Sequence, residues 1–167
     1  MRVIGRIDIK NNHVIKGINL EGLRKIGNPE KIIHSYYNQK IDELLIIDSV
    51  ASLYGRNNLF DFIKSITKDI FVPITLGGGI RSLKDIENAL KSGADKVSIN
   101  SKALENPNFL KDASNNFGES TIVSNIEAKK IKENHWEPYK FCGRERTNLK
   151  LEDWLRQIQS LGCGEIL

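Results

Sequence analysis

The sequence has few of the features that mark secreted, metal-binding or membrane proteins. Its two cysteines, Cys142 and Cys163, match no metal-ligand spacing and are too few for the disulfide framework of a small secreted domain. No apolar run reaches the length that spans a bilayer, and the amino end lacks the apolar region of a signal peptide. These absences predict two reduced thiols in a soluble, cytoplasmic protein with no membrane partner.

The chain also has only a small excess of positive over negative charge. The net charge is +4, and no basic block or basic stripe with interleaved aromatic residues is present, which argues against nucleic acid as a partner. The mild positive excess fits an anionic small molecule equally well. The three histidines, His13, His34 and His135, are scattered without metal-ligand spacing, so no metal site is predicted.

What the sequence does contain is a regular alternation of strand and helix patterns. At 167 residues with 40% hydrophobic content, the chain is long enough for one domain with a real core. Two segments interrupt the alternation: residues 10–27, predicted as a mobile loop over a site, and residues 128–147, predicted as a long loop or hairpin insert. Strands are predicted over residues 1–9, 43–48, 72–76, 96–99, 121–126 and 164–167, and helices over 28–39, 59–66, 82–92, 106–116 and 151–161.

Strict alternation of this kind predicts an α/β fold with a parallel sheet. An open doubly wound sheet is possible on alternation alone, but its usual G-x-G-x-x-G motif is absent after the first strand. Three carboxylates, Asp8, Asp48 and Glu127, are predicted to close strands. This placement favours a (β/α) barrel whose site lies on that rim.

The strand–helix–strand unit over residues 71–101 carries the strongest site signal. Glycines at 77–79 follow one apolar strand, with Gly78 and Gly79 leading into the loop, and Asn100 and Ser101 follow the next strand. Because the carboxyl ends of parallel strands meet at one edge, these residues predict a shared anion cradle, with phosphate as its ligand. The alternative is a tight turn with no ligand.

Other candidates depend on weaker signals. Lys16 lies in a glycine-flanked segment and is either a solvated lysine or a site residue. Asp48 either caps its following loop or contacts a ligand. A third group contains two charges of each sign at or near the starts of the first, second, fourth and sixth strands, and such charges should be paired beside a packed interior. This group comprises Arg2, Glu43, Lys96 and Glu165, and it is either a structural salt-bridge cluster or the gate of a channel.

Seven short motifs, in order along essentially the whole chain, resemble the cyclase subunit of imidazole glycerol phosphate synthase. The stretch from Lys96 to Asn100 favours the cyclase over the sister isomerase of the same pathway. The motifs are Asp-Ile-Lys at 8–10, Val-Ile-Lys-Gly-Ile-Asn at 14–19, Ile-Asp-Glu-Leu at 41–44, Thr-Leu-Gly-Gly-Gly-Ile at 75–80, Gly-Ala-Asp-Lys-Val-Ser-Ile-Asn at 93–100, Glu-Asn-Pro at 105–107 and Gly-Glu-Ile-Leu at 164–167.

The resemblance implies a (β/α)8 barrel that needs no cofactor and takes ammonia from a glutaminase partner. It implies conversion of a bis-phosphorylated substrate into imidazole glycerol phosphate and aminoimidazole carboxamide ribotide in histidine biosynthesis. Asp8 matches a catalytic carboxylate, Lys16 the active-site loop lysine and Asp95 a residue that faces the glutaminase. Gly79, Asn100 and Ser101 match a phosphate cradle, and Arg2, Glu43, Lys96 and Glu165 match the ring of charges around the ammonia entrance.

Two positions depart from that family. Glu127 stands where the family has its second catalytic aspartate, and Arg6 stands where a small residue is usual. An added methylene displaces a carboxylate by about 1 Å, and a cation beside a carboxylate should depress that carboxylate's pKa. These departures favour, as a second hypothesis, a relative that passes ammonia into nucleotide-linked surface sugars.

Length is the remaining departure. A (β/α)8 barrel takes about 250 residues, and this chain stops within the predicted sixth strand. The sequence therefore predicts one partial barrel over residues 1–167 with about five and a half β/α units. We expect such a fragment to fold poorly alone or to pair with a second chain, and to lack cyclase activity; a non-catalytic half-barrel is the corresponding alternative.

Overall fold

One eight-stranded sheet organises the fold. The computed structural model describes residues 1–18, 22–51 and 59–167. The strands are β1 Ile4–Lys10, β2 His13–Ile18, β3 Gly22–Gly27, β4 Glu43–Asp48, β5 Ile74–Gly77, β6 Lys96–Ile99, β7 Ile122–Ser124, β8 Glu127–Lys132, β9 His135–Lys140, β10 Glu145–Arg146 and β11 Glu165–Ile166. The helices are α1 Pro29–Asn38, α2 Phe60–Ile66, α3 Leu83–Lys91, α4 Ser101–Glu105, α5 Asn108–Phe117 and α6 Leu151–Ser160, with a 3₁₀ turn at Glu119–Thr121.

The sheet order is β11-β7-β6-β5-β4-β1-β2-β3. Strands β1, β4, β5, β6, β7 and β11 are parallel to one another, and helices connect them. The predicted α/β class with a parallel sheet is therefore confirmed. All six carboxyl ends lie at one edge of the sheet, which gathers the loops that follow them. The assignment of residues 1–167 to a single partial barrel stays a prediction.

The sequence predicts N-caps at Asn28, Ser82 and Asn106, and the first two are found. Asn28 caps α1 by accepting a hydrogen bond from the backbone N–H of Lys31 at 3.1 Å, with Pro29 at the first helical position. Ser82 and Asp85 form a capping box at α3. Each helical face then packs on the sheet, and the fully buried side chains include Ile33, Ile63, Ile86, Leu110 and Ile158.

The predicted mobile loop over residues 10–27 is wrong for the described part. Strands β2 and β3 form an antiparallel hairpin that extends the sheet beyond β1, with Ile9 opposite Val14. Val14 and Ile15 are buried, and pairing with the edge of β1 satisfies backbone groups that a loop would leave to water. Residues 19–21, which include Asn19 of the second motif, and residues 52–58, which fall mostly in a predicted loop, lie outside the described residues.

Two further boundaries differ from prediction. Strand β7 ends at Ser124, so Glu127 opens β8 instead of closing the fifth parallel strand. Residues 127–146 form a separate three-stranded antiparallel sheet, β10-β9-β8, which confirms a hairpin insert. Ser101 begins the short helix α4, and α5 starts after Pro107 with no side-chain cap, so the predicted cap by Asn106 is wrong. No helix within the described segments is long and apolar enough to cross a membrane.

Candidate active site at the carboxyl edge of the sheet

A cleft of about 230 Å³ lies at the carboxyl ends of β4, β5 and β6. Its lining brings together Gly78, Gly79, Asn100 and Ser101, the four residues predicted as a phosphate cradle. The predicted carboxylates Asp48 and Glu127 line the same cleft. The sequence motifs on two neighbouring strands therefore meet in one concave site.

The glycine loop passes directly over the end of β4. Gly78 and Gly79 have φ of +89° and +74°, in the left-handed region that favours glycine. A Cβ on Gly78 would lie 2.2 Å from the carbonyl oxygen of Asp48, so no side chain fits there. The Asp48 carboxylate accepts hydrogen bonds from the backbone N–H groups of Val50 and Ala51, both at 3.0 Å. Asp48 thus caps the turn after β4 as well as lining the cleft.

The insert closes one side of the cleft through contacts that sequence reasoning missed. The amide nitrogen of Asn100 donates to Glu127 Oε2 at 3.3 Å and to the carbonyl oxygen of Tyr139 at 3.1 Å. The backbone N–H of Phe141 donates to Ser101 Oγ at 2.9 Å. The predicted phosphate residues therefore also anchor the end of β9, and the hydroxyl hydrogen of Ser101 is left to point elsewhere.

The turn after β9 has an unusual backbone. Phe141 and Cys142 both have positive φ, +51° and +57°, and the Cys142 thiol donates to the carbonyl oxygen of Ser49 at 3.0 Å. Both side chains line the cleft. The pattern of residues 128–147 carries no signal for this, because the contacts join segments far apart in the chain.

A second, larger cavity of about 980 Å³ lies between β1, the β2–β3 hairpin and the insert. Asp8, Lys16 and Glu127, the three predicted catalytic residues, line it together with Arg6. Glu127 lines both this cavity and the smaller cleft. The carboxylate pair is therefore next to the predicted phosphate site.

The two carboxylates have different environments. Burial raises the pKa of Glu127, and the positive charge of Arg6 opposes that rise without cancelling it. Arg6 therefore lowers the pKa of Glu127 as expected, but this lowering is smaller than the rise that burial causes. Asp8 forms an ion pair with Arg6, with Nη2 3.0 Å from Oδ1. Its side chain is 32% exposed towards the cavity.

The four charges at the opposite edge form a closed ring, here called the charge ring (Arg2, Glu43, Lys96 and Glu165). Lys96 Nζ lies 3.2 Å from both Glu43 carboxylate oxygens and 2.7 Å from Glu165 Oε1. Arg2 Nη2 lies 3.0 Å from Glu165 Oε2, and Arg2 Nη1 lies 3.5 Å from Glu43 Oε2. Thr75, which sequence reasoning missed, donates its hydroxyl to Glu43 Oε1 at 2.8 Å.

These contacts shift the ionisation of the ring. Burial acts to lower the pKa of Lys96, but hydrogen bonds to Glu165 and Glu43 outweigh it, so that pKa is raised. The hydrogen bond from Lys96 lowers the pKa of Glu165. Both shifts favour the charged forms, as the alternating signs require.

Asp95, the residue predicted to face a partner, has a structural contact. Its Oδ2 accepts the backbone N–H of Ile74 at 2.8 Å, which fixes the start of β5, and its side chain is otherwise exposed. Its partner role stays a prediction. Among the described residues no group of three or more His, Cys, Asp or Glu side chains is placed to hold a metal ion.

A parallel β/α sheet with a cleft at its carboxyl edge is the arrangement of (β/α)-barrel enzymes, whose active sites lie at that edge. Residues 2–167 match the family model described as histidine biosynthesis protein. The chain belongs to this family.

Individual relatives narrow the family to its cyclase branch. The chain is 48% identical over its whole length to the imidazole glycerol phosphate synthase subunit HisF of Legionella pneumophila, of which it spans 79%. It is 44% and 39% identical to the HisF subunits of Hydrogenobaculum sp. and Bacillus cereus, over 99% of the chain and 66% of each relative. The predicted resemblance to the cyclase subunit of histidine biosynthesis is confirmed at the level of the family.

Proposed function

We propose that this chain carries the cyclase chemistry of imidazole glycerol phosphate synthase. The reaction uses ammonia to convert a bis-phosphorylated ribulosyl aminoimidazole carboxamide intermediate into imidazole glycerol phosphate and aminoimidazole carboxamide ribotide. The observation that supports this most is the position of Glu127, which lines both the glycine-lined cleft and the cavity that holds Asp8 and Lys16. A substrate with a phosphate in the cleft would extend past both carboxylates.

The cleft suits one phosphate of that substrate. Gly78 and Gly79 have no side chains to block a close approach, and Ser101 can turn its hydroxyl hydrogen towards a phosphate oxygen. Arg81 and Lys102 line the same cleft and supply positive charge. These groups would fix one end of the substrate so that its reacting part lies at the carboxylates.

The carboxylate pair suits general acid and base catalysis. The raised pKa of Glu127 favours a protonated carboxyl that can donate to a leaving group, while Asp8, held by Arg6, can accept a proton. Lys16, at the cavity wall, would orient the substrate by its positive charge. Glu127 belongs to the start of β8, beyond the end of β7, and its side chain is longer than that of an aspartate, which would let its carboxylate extend towards Asp8.

The charge ring would receive ammonia from a glutaminase subunit. It lies at the amino edge of the parallel strands, opposite the active site, with Glu43, Lys96 and Glu165 as the first residues of β4, β6 and β11. Val3 and Phe71, next to that edge in sequence, are 50% and 77% exposed, which suits a partner surface. Asp95 would belong to the same surface, and a cytoplasmic location follows from this pathway.

Asp8→Asn is expected to lower kcat by at least about a hundredfold with little change in KM, because the base is lost while substrate contacts stay. We would follow consumption of the bis-phosphorylated intermediate with saturating ammonium. The assay uses both the 167-residue chain and the same chain extended by the carboxyl-terminal part of the Legionella relative. Glu127→Asp, which keeps the charge and shortens the reach, tests whether the glutamate is competent.

The matched control is Asp61→Asn, a carboxylate outside both cavities of the candidate site. Turnover by the parent and by the control, but not by Asp8→Asn, would support the cyclase reaction. Recovery of activity only in Glu127→Asp would favour the second candidate, ammonia transfer to nucleotide-linked sugars, because it would show that the glutamate is not competent in the cyclase reaction. A folded, phosphate-binding protein that is inactive in every form would contradict cyclase activity.

A further inference from the structure

Arg6 lies in the candidate active site with its charged group on a catalytic carboxylate. It precedes Asp8 by two residues on β1, so both side chains leave the same face of the strand, and they alternate with the buried residues Gly5, Ile7 and Ile9. Arg6 and Asp8 both line the larger cavity. Neither side chain is part of the hydrophobic core, so core packing does not explain why arginine stands there.

The contact is made at more than one point. Arg6 Nε lies 3.2 Å from Asp8 Oδ1 and 3.3 Å from Oδ2, and Nη2 lies 3.0 Å from Oδ1. Two donors of one planar guanidinium thus hold both oxygens of one carboxylate, which fixes its rotation as well as its position. Within residues 1–18, 22–51 and 59–167, no other side chain donates a hydrogen bond to Asp8.

The second carboxylate is held by different means. Glu127 accepts a hydrogen bond from the uncharged amide of Asn100, the backbone of Gly143 acts to lower its pKa, and Arg6 acts on it only through its charge. A single cation therefore binds one member of the pair and faces the other. The charged groups that act on Glu127 or line the two cavities beside it are Arg6, Asp8, Lys10, Lys16, Asp48, Arg81, Lys102, Glu105, Lys129 and Arg144.

We propose that Arg6 is a positioning residue that holds the Asp8 carboxylate by a two-point hydrogen-bonded ion pair and directs it to the reacting part of the substrate. This rests on the proposed cyclase function, since Asp8 is its proton acceptor. Because two donor nitrogens of one planar group fix the carboxylate, lysine cannot replace arginine here: its single ammonium keeps the charge and loses the planar fork.

The test compares Arg6→Lys, Arg6→Met and the control Arg144→Met, which removes an arginine from the same cavity. In the 167-residue chain, the Nε–H resonance of Arg6 should exchange with water at least about tenfold faster in Asp8→Asn than in the parent. The titration midpoint of the Glu127 carboxyl, followed by ¹³C NMR, should rise in Arg6→Met and stay near the parent value in Arg6→Lys and Arg144→Met.

Turnover separates a positioning role from a purely electrostatic one. In the chain extended by the carboxyl-terminal part of the Legionella relative, Arg6→Lys should lower kcat about tenfold or more with little change in KM, because the charge is kept and the orientation of Asp8 is lost. An Arg6 Nε–H that exchanges equally fast in the parent and in Asp8→Asn would overturn the proposal, as would a parent-like kcat in Arg6→Lys. The exchange and titration measurements need no turnover, so they decide the role of Arg6 even if the cyclase reaction itself fails.

Discussion

Gly78→Ala is expected to destabilise the fold by on the order of 4 kcal/mol and to abolish phosphate binding in the cleft. The new Cβ would lie 2.2 Å from the carbonyl oxygen and 2.8 Å from the carbonyl carbon of Asp48. These are backbone atoms of the buried strand β4, which cannot move without breaking its pairing with β1 and β5. The left-handed φ of +89° adds a further cost for any residue with a side chain.

The matched control for this substitution is Gly118→Ala. Gly118 has the same φ of +89°, but no atom lies within 4 Å of an added Cβ, so it tests backbone conformation without the clash. Because its ψ of 143° places Gly118 in a backbone region almost confined to glycine, we expect Gly118→Ala to cost about 1–3 kcal/mol and to leave the cleft intact. Urea unfolding gives both free energies, and titration with inorganic phosphate, followed by amide shifts of residues 77–79, gives the binding. Equal losses of stability in Gly78→Ala and Gly118→Ala would show that a Cβ on Gly78 does not clash with the backbone of Asp48 in β4.

The parts of this fold that could be predicted from the sequence are those specified by neighbouring residues. The cap at Asn28, the cap at Ser82 and the apolar run of β4 each depend on a few adjacent side chains, and each is found where expected. The β2–β3 hairpin was not predictable in this way. Glycines lie at or near the ends of its strands, and Val14 and Ile15 are buried through the pairing of β2 with β1 and by packing against residues far away in the chain.

In the candidate site, too, one part could be predicted from the sequence and another could not. Strand ends place the glycines, Asn100 and Ser101 together because parallel strands share an edge, which a sequence pattern can indicate. The hydrogen bonds from Asn100 to Tyr139 and from Phe141 to Ser101 span about forty residues, with sequence separations of 39 and 40, and have no local signal. Likewise the backbone contact of Asp95 depends on the register of β5 and β6.

Lys96→Met is expected to destabilise the fold by on the order of 3 kcal/mol. Lys96 bridges Glu43 and Glu165, and its side chain is only 15% exposed. Removing it leaves the Glu43 carboxylate, 4% exposed, with Thr75 and the more distant Arg2 as its remaining partners. A buried charge that loses its main counterion costs more than a surface ion pair does, because water cannot replace the lost contact.

Two variants separate the ring's charge balance from packing. In Glu43→Gln/Lys96→Met the buried charges are removed together, so the double variant should be more stable than Lys96→Met alone. Arg2→Met removes a cation whose side chain is 51% exposed, and we expect a smaller loss from it. Urea unfolding of the parent, Glu43→Gln, Lys96→Met and the double variant forms the cycle, and Arg2→Met is measured beside it. A double variant less stable than Lys96→Met would mean that the ring stabilises the fold by shape and not by charge pairing.

The stability difference between the parent and Lys96→Met should depend on pH, because the pKa values of Glu165 and Lys96 are both shifted in the folded protein. The pKa of Glu165 is lowered from its ordinary value of 4.5, so its share of the stability is present above about pH 4.5 and is lost as the pH falls through the folded value. The pKa of Lys96 is raised from 10.5, so its share is present below about pH 10.5 and is lost as the pH rises through the folded value. The stability difference between the parent and Lys96→Met should therefore be flat between these limits and shrink beyond both. A difference that stayed constant as the pH fell well below 4.5 would exclude the pairing of Lys96 with Glu165 as its source.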